Sequence, residues 1–294
     1  MSSDEPVHAL DERPSAPPPD SARVRREIAV ALVGAAPALH ALAYARGVAQ
    51  AMGAALHALC VRPTEILPRD VPRVLGVPEE ALEGVVLHAE TGEPADRLLA
   101  FLTAHPSAAL VLAADEAGAT DPFRVGAVAA RLLAETEASL FIVRDAPEPR
   151  LKRILVPLDG RPQTAQAIGM AGELARRAGA SLEVLLVGEA HARATEPGAM
   201  SPPQYVDQPQ HEWQAFTREF LERFLGGIGH VPPEVTTRFY LGAGDPAEQI
   251  LRFCQELDAD LITLVWHGDA TAEHGRVFRD VLSKACCPVL VLRC

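Results

Sequence analysis

The sequence has no apolar run approaching the roughly 18 residues that a bilayer-spanning helix needs, although 48% of its 294 residues are hydrophobic. No membrane span is expected, and the composition suits a soluble, globular chain long enough for two domains. The opening segment, MSSDEPVHALDERPSAPPPDSARVRRE, lacks both the apolar core of a secretory signal and the arginine-rich, acid-poor make-up of a transit peptide. A cytoplasmic protein is therefore expected.

Positive charge is scarce as well. Acidic residues outnumber basic ones by 39 to 27, for a net charge of -12, which repels phosphate backbones unless a basic patch compensates. No such patch is legible: the longest basic clusters, RVRRE and PRLKR, are short and precede strand-like runs, where solvated strand entrances are expected. Nucleic acid is excluded as a partner on this reading. The five cysteines, Cys60, Cys254, Cys286, Cys287 and Cys294, are odd in number and carry no paired CxxC spacing, which argues against a structural zinc site or a disulfide framework. Cys60 and Cys254 lie in apolar runs and read as small core residues, whereas Cys294 reads as an oxidisable thiol.

What the chain does have is repetition. REIAVALVGAAPALHALAYARGVAQAMGAALHALCV lies on KRILVPLDGRPQTAQAIGMAGELARRAGASLEVLLV without a gap, pairing Gly34 with Gly160 and Gly53 with Gly179 at one constant offset. TGEPADRLLAFLTAHPSAALVLAA answers LGAGDPAEQILRFCQELDADLITLV, and GAVAARLLAETEASLFIVR answers GRVFRDVLSKACCPVLVLR. The domain reading is a disordered, proline-containing tail over 1–23, a first copy over 24–146 and a second copy over 147–294, joined near DAPEP.

Each copy reads as strand, helix, strand, long connection, strand, helix, strand, helix, strand. In the second copy ILVPL, LEVLLV, VTTRFYL, DLITLV and PVLVLR are short, apolar and rich in Leu and β-branched residues, which suits buried parallel strands. Ala165, Ile168, Ala171, Leu174 and Ala175 recur at helical spacing, and Gly179 is placed to end that helix. Asp245 reads as an N-cap, with Pro246 at the first helical position. The long connection after Val187 is expected to end in an amphipathic helix carrying Trp213, Phe216, Phe220, Leu221 and Phe224. Alternating strands and helices give a mainly parallel α/β sheet covered on both faces.

RILVPLDGRPQTAQAIGMAGELARRAGASLEVLLV, GDPAEQILRFCQELDADLITLV and VLSKACCPVLVL together resemble the universal stress protein domain, and the first copy is similar to a more diverged example. The resemblance implies two tandem copies of a five-stranded parallel-sheet, adenine-nucleotide alpha-hydrolase-like domain. It also implies an ATP crevice beside the first and fourth strands, with an adenine-side Asp and a loop of the form G, two residues, G, nine residues, G, then Ser or Thr. Glycines there let the backbone approach phosphate oxygens at a helix N-terminus.

Carried over residue by residue, Asp159 stands at the adenine-side position of the second copy and Val187 at the end of its second strand. In the loop Val265 replaces the first glycine, Gly268 keeps the second, and six residues instead of nine precede Gly275. Arg276 replaces the hydroxyl residue, and its guanidinium is able to pair with a phosphate. The cofactor-binding set is thus Asp159, Val187, Gly268, Gly275 and Arg276, with ATP as the ligand of the second copy only. In the first copy Val33 replaces the aspartate, Ala113 and Glu116 replace two glycines, Ala127 replaces the hydroxyl residue, and the Glu116 carboxylate would repel a phosphate.

Two further clusters are weighed here. His267, Asp269, Glu273 and His274 gather metal-ligand types within one loop, where a glycine-flexed surface loop is the simpler reading and no metal is assigned. Vicinal Cys286 and Cys287 offer a redox pair, but also suit a helix-to-strand junction before Pro288. No nucleophilic triad is legible. The resemblance further implies pairing of the last strands, SLFIVR and PVLVLR, within one chain as a pseudo-dimer, with a homodimer as the next level of assembly. The function expected is a non-catalytic stress-response adaptor or regulator with an unidentified protein partner, the alternative being an ATP-binding switch or slow ATPase. A redox or metal-sensing module is the third class.

Overall fold

The apolar runs become strands because both of their faces are covered. The computed structural model describes residues 27–33, 37–114, 123–144, 150–159, 162–188, 231–266 and 273–293. The tail, the proposed aromatic helix of the long connection, and Gly268 and Glu116 lie outside the described residues.

In chain order the first repeat comprises β1 (Glu27–Ala31), α1 (Pro37–Met52), β2 (Ala55–Arg62), α2 (Val71–Leu75), β3 (Val86–Thr91), α3 (Pro94–Ala104), β4 (Ala108–Ala113), α4 (Ala127–Glu135) and β5 (Leu140–Val143). The second comprises β6 (Arg153–Leu158), α5 (Pro162–Ala178), β7 (Ser181–Gly188), β8 (Thr237–Ala243), α6 (Pro246–Glu256), β9 (Leu261–Trp266), α7 (Glu273–Lys284) and β10 (Val289–Arg293).

The ten strands among the described residues form one sheet, in the order β3-β2-β1-β4-β5-β10-β9-β6-β7-β8. Each half is wholly parallel, with its first strand between its second and fourth. The halves meet at an antiparallel seam, where Val289, Leu290 and Val291 of β10 oppose Ile142, Phe141 and Leu140 of β5.

Side chains alternate across the sheet. Ile28 and Val30 of β1, with Ile154 and Val156 of β6, pack under α1 and α5, while Ala29, Ala31 and Leu155 face the layer containing α3, α4, α6 and α7. Both apolar layers run continuously through the two repeats. On the first face Arg177 of α5 donates to the Met52 carbonyl at the end of α1, at 2.7 Å. On the second, Phe123 meets Trp266 edge-on at 5.5 Å, and the Trp266 indole N–H donates to the Leu133 carbonyl at 3.1 Å. The polar tip of the indole is thereby satisfied while its rings stay buried.

Gly53 and Gly179 terminate α1 and α5 in the same way. Each has positive φ, +59° and +66°, and the next amide, of Ala54 or Ala180, returns to the carbonyl of Ala49 or Ala175 at 2.8 Å. That left-handed exit is what glycine permits at low cost.

Two polar clusters lie on the second-face side of the sheet. Glu183 of β7 is 1% exposed, and its carboxylate accepts from Ser181 Oγ and Arg238 Nη1, both at 2.7 Å, and from the Tyr240 hydroxyl at 3.0 Å. In the first repeat the rings of His57, His88, Phe101 and His105 stack together, with His57 Nδ1 3.0 Å from His88 Nε2. The connection between β2 and β3, read only as long, contains α2, which seats Val71 and Leu75 in the core and ends on left-handed Gly76.

Candidate functional site

A binding crevice is favoured at the carboxyl ends of β6 and β9, because the chain reverses its order across the sheet there. Asp159 follows β6 directly, is exposed, and accepts a hydrogen bond from Thr164 Oγ1 in the first turn of α5 at 2.8 Å. Val187 stands near the end of β7, 8% exposed and in register with Gly242 of β8. Trp266, at the end of β9, is buried against Phe278 of α7, with ring centroids 4.4 Å apart. Gly275 is buried in the first turn of α7, and its carbonyl accepts from Arg279 Nε at 3.2 Å.

Arg276 turns toward α6. Its Nη2 donates to Asp245 Oδ2 at 2.9 Å, and its Nη1 lies 3.7 Å from Asp280. Asp245 is the N-cap of α6, as its place before Pro246 predicts, and its other oxygen accepts from the Glu248 amide at 3.1 Å. That amide bond first, and the arginine after it, hold the Asp245 carboxyl below the ordinary carboxylate value.

The first repeat meets the same need with different residues. Glu93 caps α3 by accepting from the Asp96 amide at 2.9 Å, and Arg131 of α4 reaches Glu93 at 3.0 Å, Asp96 at 2.7 Å and Glu135 at 2.9 Å. An arginine on the last helix therefore clamps the cap of the preceding helix in both repeats, from positions that are not equivalent in sequence. Half-buried Val33 stands where the second repeat has Asp159. Gly126, at φ 91°, immediately precedes α4.

The arrangement thus gathers Asp159, Val187, Gly275 and Arg276 around one end of the second half-sheet. The sequence identified Asp245 as a cap but not as the partner of Arg276, because the ion pair joins two helices across the intervening strand β9. A spacing signal did exist in Arg276 and Asp280, four residues apart on one helix face. His267 and Asp269 fall outside the described residues, and among the described residues no group of three or more His, Cys, Asp or Glu side chains is placed to hold a metal ion. No helix among them is long and apolar enough to cross a membrane.

Residues 150–293 match the model of the universal stress protein family. Across the whole chain, the fold is shared with a universal stress protein from Archaeoglobus fulgidus DSM 4304, at 14% identity and a TM-score of 0.61, covering 91% of this chain and 96% of that one. A functionally unknown protein from Pseudomonas aeruginosa PAO1 matches at 18% identity and a TM-score of 0.64, covering 91% and 92%. A putative universal stress protein from Pseudomonas aeruginosa UCBPP-PA14 matches at 19% and 0.61, covering 91% and 93%. The second repeat thus matches the universal stress protein family over residues 150–293, and the first repeat has the same strand order.

Proposed function

We propose that this chain is a non-catalytic stress-response adaptor or regulator, acting in the cytoplasm through contacts between its surface and a protein partner, with homodimerisation as a further level of assembly. The observation that carries the reading is the engagement of Arg276 with Asp245 and Asp280. The cation that would answer a phosphate in the shortened loop instead binds two helices together, as Arg131 does in the first repeat. In the first repeat Val33 stands in place of the adenine-side aspartate.

A second reading, an ATP-binding switch or slow ATPase, is favoured by Asp159, whose exposed carboxylate is oriented by Thr164 at the mouth of the crevice. Calorimetric titration of the full chain with ATP, with and without magnesium, separates the two. The adaptor reading expects no binding heat and no thermal stabilisation at millimolar ATP. One-site binding that disappears in Asp159→Ala replaces it with the switch, which at a hundredfold excess of ligand over Kd would stabilise the fold by about 2.7 kcal/mol.

A further inference from the structure

Three thiols converge at a place that the nucleotide crevice does not use. Cys254 lies in the last turns of α6 and is 1% exposed. Its Sγ is 3.3 Å from that of Cys286 and 3.4 Å from that of Cys287, both in the short connection between α7 and β10. Cys286 is exposed, Cys287 half-buried, and all three are free thiols. Sulfur atoms this close need to approach by little more than about 1 Å to reach the disulfide length of about 2.0 Å.

We propose that Cys286 and Cys254 form a reversible regulatory disulfide, with Cys286 as the thiol that meets a peroxide oxidant and Cys254 as the resolving thiol. The division of labour follows from access and ionisation. Only Cys286 stands open to solvent on the pair's outer side. Hydrogen bonding from Cys287, and then from Cys254, draws the Cys286 thiol down to about 6, whereas the same contacts and burial push Cys287 up. Cys286 is therefore the member of the group most easily ionised, and the thiolate is the nucleophile.

The chemistry balances with hydrogen peroxide as the electron acceptor. The Cys286 thiolate attacks one peroxide oxygen, the O–O bond breaks, and the departing hydroxide takes a proton to become water, leaving a sulfenic acid. The Cys254 sulfur then attacks the Cys286 sulfur, the S–O bond breaks, and the released hydroxide combines with the Cys254 proton as a second water. Two thiols lose two electrons and two protons, and a dithiol reductant restores them. A vicinal Cys286–Cys287 bond would close a small ring immediately before Pro288, whose preceding residue is already restricted in conformation. Cys254 faces no such constraint.

The bond has a mechanical consequence. Asp245 at the start of α6 is already tied to α7 through Arg276. Cys254, about 13 Å further along α6, would tie the same helix to the connection that follows α7. Oxidation thus fastens the helix pair at both ends.

Full-length protein is treated with stoichiometric hydrogen peroxide at neutral pH, its remaining thiols are alkylated, and tryptic peptides are mapped by mass spectrometry. Cleavage after Arg252 and after Lys284 places Cys254 and the Cys286–Cys287 pair on separate peptides. The expected result is loss of two free thiols per chain and one linked peptide pair, reversed by dithiothreitol. Cys286→Ser loses the link, Cys287→Ser keeps it, and Cys254→Ala accumulates a sulfenic acid that dimedone captures. Wild-type protein whose Cys254 and Cys286 both remain alkylatable overturns the proposal without recourse to any variant. So does a link confined to Cys286 and Cys287, or one formed only between chains.

Discussion

Arg144 and Arg293 close the last strands of the two repeats, and each caps the last helix of the other repeat. Arg144 donates through Nε and Nη2 to the Leu282 carbonyl in α7, at 3.0 and 2.6 Å. Arg293 donates to the Thr136, Leu133 and Ala134 carbonyls at the end of α4, at 3.0 to 3.1 Å. The carbonyls of a helix's last turn lack intrahelical partners and favour positive charge, so both arginines fill a need that their own repeat cannot meet.

Replacing either arginine by alanine is expected to cost about 1.5–3 kcal/mol, the range for hydrogen bonds to a charged group. Lysine should restore only part of it, since an ammonium lacks the planar fork that reaches several carbonyls at once. Urea denaturation of Arg144→Ala, Arg293→Ala and the two lysine variants measures this. Unchanged midpoints in all four would mean that these bonds contribute nothing to the seam.

Asp245→Ala should destabilise more than Arg276→Ala. The first removes a cap, worth about 1 kcal/mol, together with the ion pair, whereas the second removes an exposed ion pair of at most about 1 kcal/mol. Because the folded-state pKa of Asp245 is depressed, its contribution is complete above the ordinary 3.8 and is lost as pH falls through the folded value. Thermal melts from neutral to strongly acidic pH should show the gap between wild type and Asp245→Ala narrowing in acid.

Acidification should also weaken the first repeat through His57 and His88. Burial lowers both imidazoles below the ordinary 6.5, and repulsion between like charges on adjacent rings, with His88 for the first and His105 for the second, lowers them further. Glu27 and Glu90 pull in the opposite direction but less strongly. The unfolded chain therefore takes up protons first, and stability declines as pH drops from 6.5 towards the folded values. His88→Gln should flatten that part of the stability-pH curve, and an equally steep curve in the variant would remove the histidine pair as its cause.

Gly53→Ala and Gly179→Ala should each cost about 1–2 kcal/mol, the penalty of a left-handed L-residue. Among the described residues, the adjoining chain apart, no atom lies within 4 Å of the added Cβ at either position, so the cost is conformational and not steric. Chemical denaturation of both variants should give similar losses, since the two exits share one geometry. A much larger loss at one site would point to a contact absent from this account.

Much of the architecture was legible because it is local. Near-continuous burial along ILVPL and DLITLV, the glycine exits at Gly53 and Gly179, and the Asp245-Pro246 start of α6 are each decided within a few residues. Repetition then showed that one local pattern was being used twice. The features that were not legible depend on distant segments meeting. Nothing near Arg276 in sequence says that its guanidinium turns to Asp245, nor does the apolar setting of Cys254 place it against Cys286. The ring stack around His57 and His88 requires β2 and β3 in register, which the intervening connection does not reveal. Of the candidate site, Asp159, Val187 and Gly275 were named only through the resemblance to the universal stress protein domain, whereas the direction of Arg276 needed the fold.

The antiparallel seam also imposes an order in time. Its partners, Ile142 and Val289, lie in different repeats, so bringing them together carries a large loop-closure cost unless each half-sheet has already shortened the effective path. During synthesis β5 is complete long before β10 emerges, and its outer edge, with the apolar flank shared by Phe123 and Trp266, stays bare for that interval. The nascent chain is thus most vulnerable to pairing with another copy of itself just before its last strand arrives, and rapid closure by β10 would be what keeps the repeats in one molecule.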